Sequence, residues 1–260
     1  MAAIRSSLKG KLVLITGCTG GIGQATARAF ARSGCSVAVH YHAASSRAKA
    51  DTLISDLEAV ASSDARFAAF QADLSNYDEA RCLHAEVVQQ IGHPDILFAN
   101  HGIAGPKIGP LGDIKDVPVE VFEETWRTNT GTSYVLAQLC VPHMEAQKYG
   151  RVIFTSSIAA GNGGVIGPHY ASSKAALHGL VHWLSLRYAK DGITSNAIAP
   201  ALIEDTAMMA NPTPEMRSKI PIGRLGKPDE MAEIVLLLAS NGYMTNKIIV
   251  ADGGWTHGNF

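Results

Sequence analysis

Residues 11–23 read Lys11-Leu12-Val13-Leu14-Ile15-Thr16-Gly17-Cys18-Thr19-Gly20-Gly21-Ile22-Gly23. The run 11–15 is apolar and rich in branched residues, which predicts a short strand buried on both faces. It passes directly into a glycine-rich loop, 16–23, and then into a helical pattern over 24–33 closed by Gly34. Strand, glycine turn and helix in this order can hold a dinucleotide. Glycines allow positive φ and let the backbone approach a pyrophosphate, while the helix start offers unpaired N–H groups.

The same alternation continues outward. Strands are predicted at 36–41 (SVAVHY), 66–71 (RFAAFQ), 95–99 (DILFA), 151–155 (RVIFT), 193–198 (ITSNAI) running on to Pro200, and 247–250 (KIIV). Helices are predicted over 49–61, 77–91, 122–142, 170–190 and 228–240. The expected class is α/β, with all of 1–260 in one Rossmann-type domain. Its doubly wound parallel sheet would have about seven strands, with helices on both faces. Repeats, linkers and low-complexity tracts are not seen. Residues 201–221, with Pro212, Pro214, Met208, Met209 and Met216, read as a lid over a substrate or as a surface loop with short helices.

Composition bounds the function. The 260 residues are 47% hydrophobic and 17% charged, with a net charge of −1. A basic surplus for nucleic acid and an apolar run long enough to span a bilayer are both missing. The first residues, MAAIRSSLKGK, lack the apolar core of a secretory signal. Cys18, Cys35, Cys82 and Cys140 have no metal-ligand spacing and read as reduced thiols of an intracellular, cytoplasmic protein. No metal site is expected.

The candidate chemistry lies in 157–174, SIAAGNGGVIGPHYASSK. Tyr170 and Lys174 are four apart and share a helix face, and Ser157 stands thirteen before the Tyr. A tyrosine titrates near ~10, and a neighbouring ammonium favours its phenolate. Tyr170 could then exchange a proton with a substrate oxygen, and the Ser157 hydroxyl could hydrogen-bond that oxygen as charge develops. Asn129, mid-helix, would bond backbone or hold a water. Asp73, past the third strand, would bond an adenine amine or cap the next helix. Asn100-His101-Gly102, past the fourth strand, lies where such sheets bind ligands. After the second strand the run is His40-Tyr41-His42-Ala43-Ala44-Ser45-Ser46-Arg47, with no carboxylate. A carboxylate there would hold unphosphorylated ribose; Ser, Arg and His suit a 2′-phosphate, so NADP(H) is favoured over NAD(H).

Together these residues resemble the short-chain dehydrogenase/reductase family over nearly the whole chain. Thr16, Gly17, Gly21 and Gly23 match its TGxxxGxG pattern. Leu97 to Gly102 resembles its NNAG motif, with His101 in place of the usual Ala. Asn129, Ser157, Tyr170 and Lys174 fall at the spacing of its catalytic tetrad, and Asp252-Gly253-Gly254 also fits. Departures are Ala201 after Pro200, Thr206 displaced behind Glu204-Asp205, Gly20 where NADP-preferring relatives carry Arg, and Asn246 in place of Gly.

The resemblance implies hydride transfer on a carbonyl or secondary alcohol, without a metal. Tyr170 would be the acid, and Ser157 would orient the substrate oxygen. Lys174 would hold the nicotinamide ribose and lower the Tyr170 pKa, and Asn129 would anchor a water. Implied cofactor contacts are Gly17, Thr19, Gly21, Ile22, Gly23, Tyr41, His42, Asp73, Leu74, Asn100, His101, Gly102, Tyr170, Lys174, Pro200 and Ile203. The leading expectation is an NADP(H)-dependent carbonyl reductase of the 3-oxoacyl-carrier-protein reductase type. Rivals are an NAD-dependent alcohol, polyol or sugar dehydrogenase, and a nucleotide-sensing regulator without chemistry. The partner is a small-molecule substrate, neither nucleic acid nor membrane, and the protein is expected to be a homo-oligomer, a tetramer.

Overall fold

Along the first strand, β1 (Leu12–Ile15), alternate side chains enter different cores, as a period-two element covered on both faces requires. Leu12 and Leu14 pack with Phe70, Leu97, Val152 and Phe154; Val13 and Ile15 pack with Phe30, Val37, Phe98 and Ile153. In this computed structural model, which describes residues 8–61 and 64–256, β1 lies inside a seven-stranded sheet. The strands are β2 (Ser36–Tyr41), β3 (Phe67–Gln71), β4 (Ile96–Ala99), β5 (Gly150–Thr155), β6 (Ile193–Pro200) and β7 (Lys247–Ala251). Their order is β3-β2-β1-β4-β5-β6-β7, and every neighbouring pair is parallel.

The helices in chain order are α1 (Gly21–Arg32), α2 (Arg47–Val60), α3 (Tyr77–Ile91), α4 (Val119–Trp126), α5 (Thr132–Ala146), α6 (Ala159–Asn162), α7 (Pro168–Tyr188), α8 (Pro214–Ser218) and α9 (Pro228–Ser240). Buried residues of α1, α2 and α9 share one core, and those of α3, α5 and α7 the other. This is the doubly wound Rossmann-type arrangement. The chain winds from β1 through β2 to β3, then returns to place β4 on the other side of β1. In such sheets the crevice that holds ligands lies at the carboxyl ends of the two strands where the winding reverses, here β1 and β4. The loops after those strands meet there. The Asn100 N–H donates to Thr16 Oγ1 at 2.9 Å, and Asn100 Nδ2 donates to Thr16 O at 3.1 Å and Gly17 O at 3.3 Å.

Several expectations change. Helix α1 starts at Gly21, not Gln24, because its glycines serve close approach rather than the turn. A methyl on Gly23 would lie 2.5 Å from Gly17 O. The single helix expected over 122–142 is two, α4 and α5, separated by a π-turn over Arg127–Gly131. Pro142 does not end α5; its ring is exposed, while Leu136, Cys140 and Met144 keep the opposite face buried. Asp73 does not cap α3. Asn76 does, its side chain accepting the Asp78 N–H at 2.8 Å, while Asp73 accepts the Ser75 N–H at 2.9 Å.

Asn246, where the family has glycine, takes φ 64, a left-handed conformation that Asn tolerates better than other side chains. Residues 201–221 hold a bridge from Ile203 to Gly226, a 3₁₀ turn, Ala207–Met209, and α8. The Glu204 N–H to Gly226 O bond (2.9 Å) and the Ile222 N–H to Gly253 O bond (3.2 Å) strap this segment to the body. Among the described residues no helix is long and apolar enough to cross a membrane, and no cluster suits a metal. The start of the chain (1–7) and residues 257–260 of its tail lie outside the described residues.

Candidate active site

The π-turn and α7 build the site between them. Asn129 occupies the π-turn and is fully buried. Its Nδ2 donates to Ile103 O at 3.0 Å and to Ser173 Oγ at 2.9 Å, and its Oδ1 accepts the Ile103 N–H at 2.8 Å. Backbone bonding, one of the two roles expected for Asn129, is present: its side chain pairs with both the N–H and the C=O of Ile103. Thr130 Oγ1 donates to Ser173 O at 2.8 Å, so the π-turn docks on α7 between Tyr170 and Lys174. Ser173 and Thr130 are positioning residues without a sequence signal, since serine and threonine on helices are ordinary.

Tyr170 and Lys174 lie on α7, both buried. Ser157 follows β5, accepts the Ala159 N–H at 3.2 Å, and hydrogen-bonds the Tyr170 hydroxyl. Lys174 Nζ donates to Thr155 O at 2.8 Å and lies 5.9 Å from the Tyr170 ring centroid. Ser156, bonded to Lys174 O at 3.1 Å and His178 Nε2 at 2.8 Å, fixes this turn of α7 against the end of β5. Ser157, Tyr170 and Lys174 thus converge beside the crevice, with Asn129 behind them. Gly102 seals the junction. A methyl there would fall 3.0 Å from Lys174 Nζ and 2.9 Å from Asn129 Oδ1, so any side chain at this position would displace the two groups.

Electrostatics in the unliganded chain differ from the sequence expectation. Burial raises the Tyr170 hydroxyl above its usual 10.0, partly offset by the bond to Ser157. Burial lowers Lys174 to about 8. The ammonium that should ease Tyr170 ionisation is therefore itself poised to lose its proton first.

The residues present fit a dinucleotide. The start of α1 has no side-chain cap and no acidic residue in its first turn, leaving its N–H groups for an anion. Gly17 takes φ +60, and a methyl on Gly21 would meet Asp205 O at 2.2 Å, so Ile203–Asp205 closes over the loop. Thr19, Ile22, Gly20 and Gly21 are partly or fully exposed along this rim; Leu74, Ile203 and Pro200 are buried and support it. At the ends of β2 and β3, His42 Nδ1 lies 3.6 Å from Asp73 Oδ1. The Asp73 carboxyl is held below its usual value chiefly by the Ser75 N–H. Exposed Arg47 bonds the Tyr41 hydroxyl and donates through Nε to Asp51 at 2.8 and 3.0 Å, fixing the guanidinium over the end of β2.

Two buried histidines hold the cofactor loops, and sequence reasoning assigned neither that job. His40 Nε2 faces Ala72 O at 3.0 Å and so carries the proton; its Nδ1 accepts the Gly17 N–H at 2.9 Å. By the same logic His101 Nε2 donates to Thr128 O at 3.0 Å and Nδ1 accepts from the Thr16 hydroxyl at 2.7 Å. Burial pushes His40 down to about 4 and His101 to about 3, so both are neutral near pH 7. His101 was expected to touch cofactor, but its ring is turned inward and ties β1 to the π-turn, leaving its backbone at the crevice. The only sequence signal was its departure from alanine.

Known proteins share this layout. The family profile described as Enoyl-(Acyl carrier protein) reductase matches residues 17–256. An L-rhamnose 1-dehydrogenase (NAD(P)(+)) of Sphingomonas sp. (strain SKA58) is 32% identical, over 95% of this chain and 96% of that protein. A 3-oxoacyl-[acyl-carrier-protein] reductase of Thermotoga maritima is 31% identical, over 95% and 98%. Among solved structures, a blue fluorescent protein from a metagenomic library in complex with NADPH superposes with a TM-score of 0.85 at 30% identity, covering 97% of this chain and 100% of that one. The NADH-dependent reductase A1-R′ responsible for alginate metabolism gives 0.86 at 28%, covering 96% and 99%.

Proposed function

Because the chain belongs to the short-chain dehydrogenase/reductase family, and so is an NAD(P)-dependent oxidoreductase of CH–OH and C=O groups, we propose that it reduces a small carbonyl compound with NADPH. The observation that carries this reading is the convergence of Ser157, Tyr170 and Lys174 beside the glycine loop. When bound, the nicotinamide supplies the hydride. Tyr170 donates the proton to the carbonyl oxygen, and Ser157 hydrogen-bonds the same oxygen. Lys174 holds the nicotinamide ribose, and Asn129 keeps Ile103 and α7 in register around them. The glycine loop and the start of α1 hold the pyrophosphate, Asp73 and Leu74 border the adenine, and Asn100, Gly102, Pro200 and Ile203 line the nicotinamide end. One domain with 201–221 as its lid, in a cytoplasmic setting, completes the proposal.

Preference for NADPH rests on Arg47. Its guanidinium is pre-positioned by Tyr41 and Asp51, with no carboxylate at the end of β2 to repel a 2′-phosphate. The test is a panel of ketones, 3-oxoacyl thioesters, aldoses and polyols, read by nicotinamide absorbance with both cofactors. The expected kcat/KM is at least about tenfold higher with NADPH, and Arg47→Ala should erase most of that margin. A clear NADH preference overturns the cofactor assignment. No turnover with any panel member overturns the enzyme reading.

A second reading, oxidation of a neutral sugar, draws support from the Sphingomonas relative, an L-rhamnose 1-dehydrogenase, and from the segment 157–169, which carries no Asp, Glu, Lys or Arg. The same panel separates the two.

We also propose a homo-oligomer, a tetramer. Trp183 and Leu186 on α7 and Tyr134 on α5 are exposed, more apolar surface than a solvated helix face carries. Light scattering should give a mass well above 27.5 kDa, and a monomer at micromolar concentration refutes it.

A further inference from the structure

We propose that His169 is a positioning residue that clamps the two loops flanking Tyr170 into one substrate wall. It immediately precedes Tyr170 on α7 and is fully buried. Its Nε2 faces Ala104 O at 3.0 Å; a carbonyl only accepts, so Nε2 carries the proton. Its Nδ1 is buried without a partner. The imidazole is gripped by glycines from both loops. A methyl on Gly105 would fall 2.8 Å from Nε2, and one on Gly167 would fall 2.8 Å from Cε1. Beyond the ring, the Ile108 N–H donates to Ile166 O at 2.8 Å and joins the same loops directly.

The segment so held starts at the catalytic centre. Ile103 is bonded at both its N–H and C=O by Asn129, and Gly102 abuts Lys174 Nζ. Residues 103–108 are thus fixed at three points, by Asn129, by His169 and by Ile166. The middle point rides on the same helical turn as Tyr170, so the wall and the acid keep one geometry. The leftover Nδ1 marks a ring chosen for its Nε2 donor and its flat shape between two glycines, since a buried unpartnered nitrogen is costly and is tolerated where another demand dominates. For kinetics this rests on the carbonyl–alcohol reading above.

The test compares wild type, His169→Leu and His169→Gln. Leu keeps bulk without the donor; the Gln amide nitrogen can reach the Ala104 carbonyl. In His169→Leu, substrate KM should rise about tenfold or more, and hydrogen exchange at the Ile108 amide should quicken by a similar factor. NADP(H) affinity, read by fluorescence titration, should stay within about twofold, because the glycine loop is held elsewhere. Gln should recover both KM and exchange.

A merely structural role would lower Tm and leave KM and Ile108 exchange near wild type, which overturns the proposal. Failure of Gln to recover either also overturns it. Should His169→Leu not fold, Gly105→Ala presses on the same ring from the loop side and is read by the same outcomes. If wild type turns over no substrate but Ile108 exchange responds, the clamp stands and the enzymatic reading falls. If turnover is normal and neither readout moves, the clamp falls alone.

Discussion

Tyr170→Phe is expected to lower turnover by about 10²- to 10⁴-fold while leaving cofactor affinity within about twofold, because a positioned general acid contributes on that scale. The change removes one oxygen from a buried ring. The ring still fills its place on α7, and Ser157 keeps its bond from Ala159 N–H. The proton donor is what disappears. With the Tyr170 hydroxyl raised above 10.0 by burial, the group is protonated throughout the neutral range, which suits an acid in carbonyl reduction. Steady-state kinetics on the best panel substrate, beside a cofactor titration, checks both halves. Activity within about tenfold of wild type would mean that Tyr170 is not the acid.

Lys174→Ala should damage binding and chemistry together. Losing a charge-assisted hydrogen bond costs roughly 1.5–3 kcal/mol, so cofactor affinity should fall about ten- to a hundredfold. The burial that lowers Lys174 to about 8 adds a pH signature. An anionic ligand and a ribose acceptor favour the ammonium, so binding raises the lysine pKa and takes up a proton wherever the free enzyme has lost it. The sign follows. Affinity is full below pH 8 and falls as pH rises through 8 towards the bound-state value. Calorimetry at pH 8 in buffers of different ionisation enthalpy should report proton uptake in wild type and none from this group in Lys174→Ala. Arg should rescue poorly, since its planar fork is wider than an ammonium and the space beside Gly102 is already filled. Unchanged affinity with unchanged proton uptake would place Lys174 outside the site.

What could be read from sequence was local. The β2 and α3 bounds, Ser36–Tyr41 and Tyr77–Ile91, match the sequence expectation because β2 is largely apolar and buried along its whole length, while α3 buries Ala80, Leu83, Val87 and Ile91 at helical spacing. The spacing of Ser157, Tyr170 and Lys174 survived folding, because two of them share a helix and the third stands two residues past the end of β5. What could not be read was long-range. The bond of His40 to Gly17 crosses 23 residues and that of His101 to Thr16 crosses 85, and no periodicity encodes such pairs. Arg47 was one basic residue in a polar loop until Tyr41 and Asp51 fixed its direction. The lid resisted for the same reason. Its straps are Gly226 and Gly253, which no pattern within 201–221 announces.

The π-turn at Arg127–Gly131 has a consequence for descent with variation. A π-turn holds one residue more than the α-helical turn it interrupts, and each helical residue advances the wheel by about 100°. Helices α4 and α5 are therefore out of phase, and a reading frame of apolar positions carried across 122–142 fails at the junction. Deleting one residue there would close the bulge into an ordinary α-helical turn and bring α4 and α5 into one frame, and the widened turn that carries Asn129 to Ile103 and Ser173 would be lost. Substitution and deletion are thus unequal events in this stretch: what lineages must transmit there is a number of residues as well as their identities.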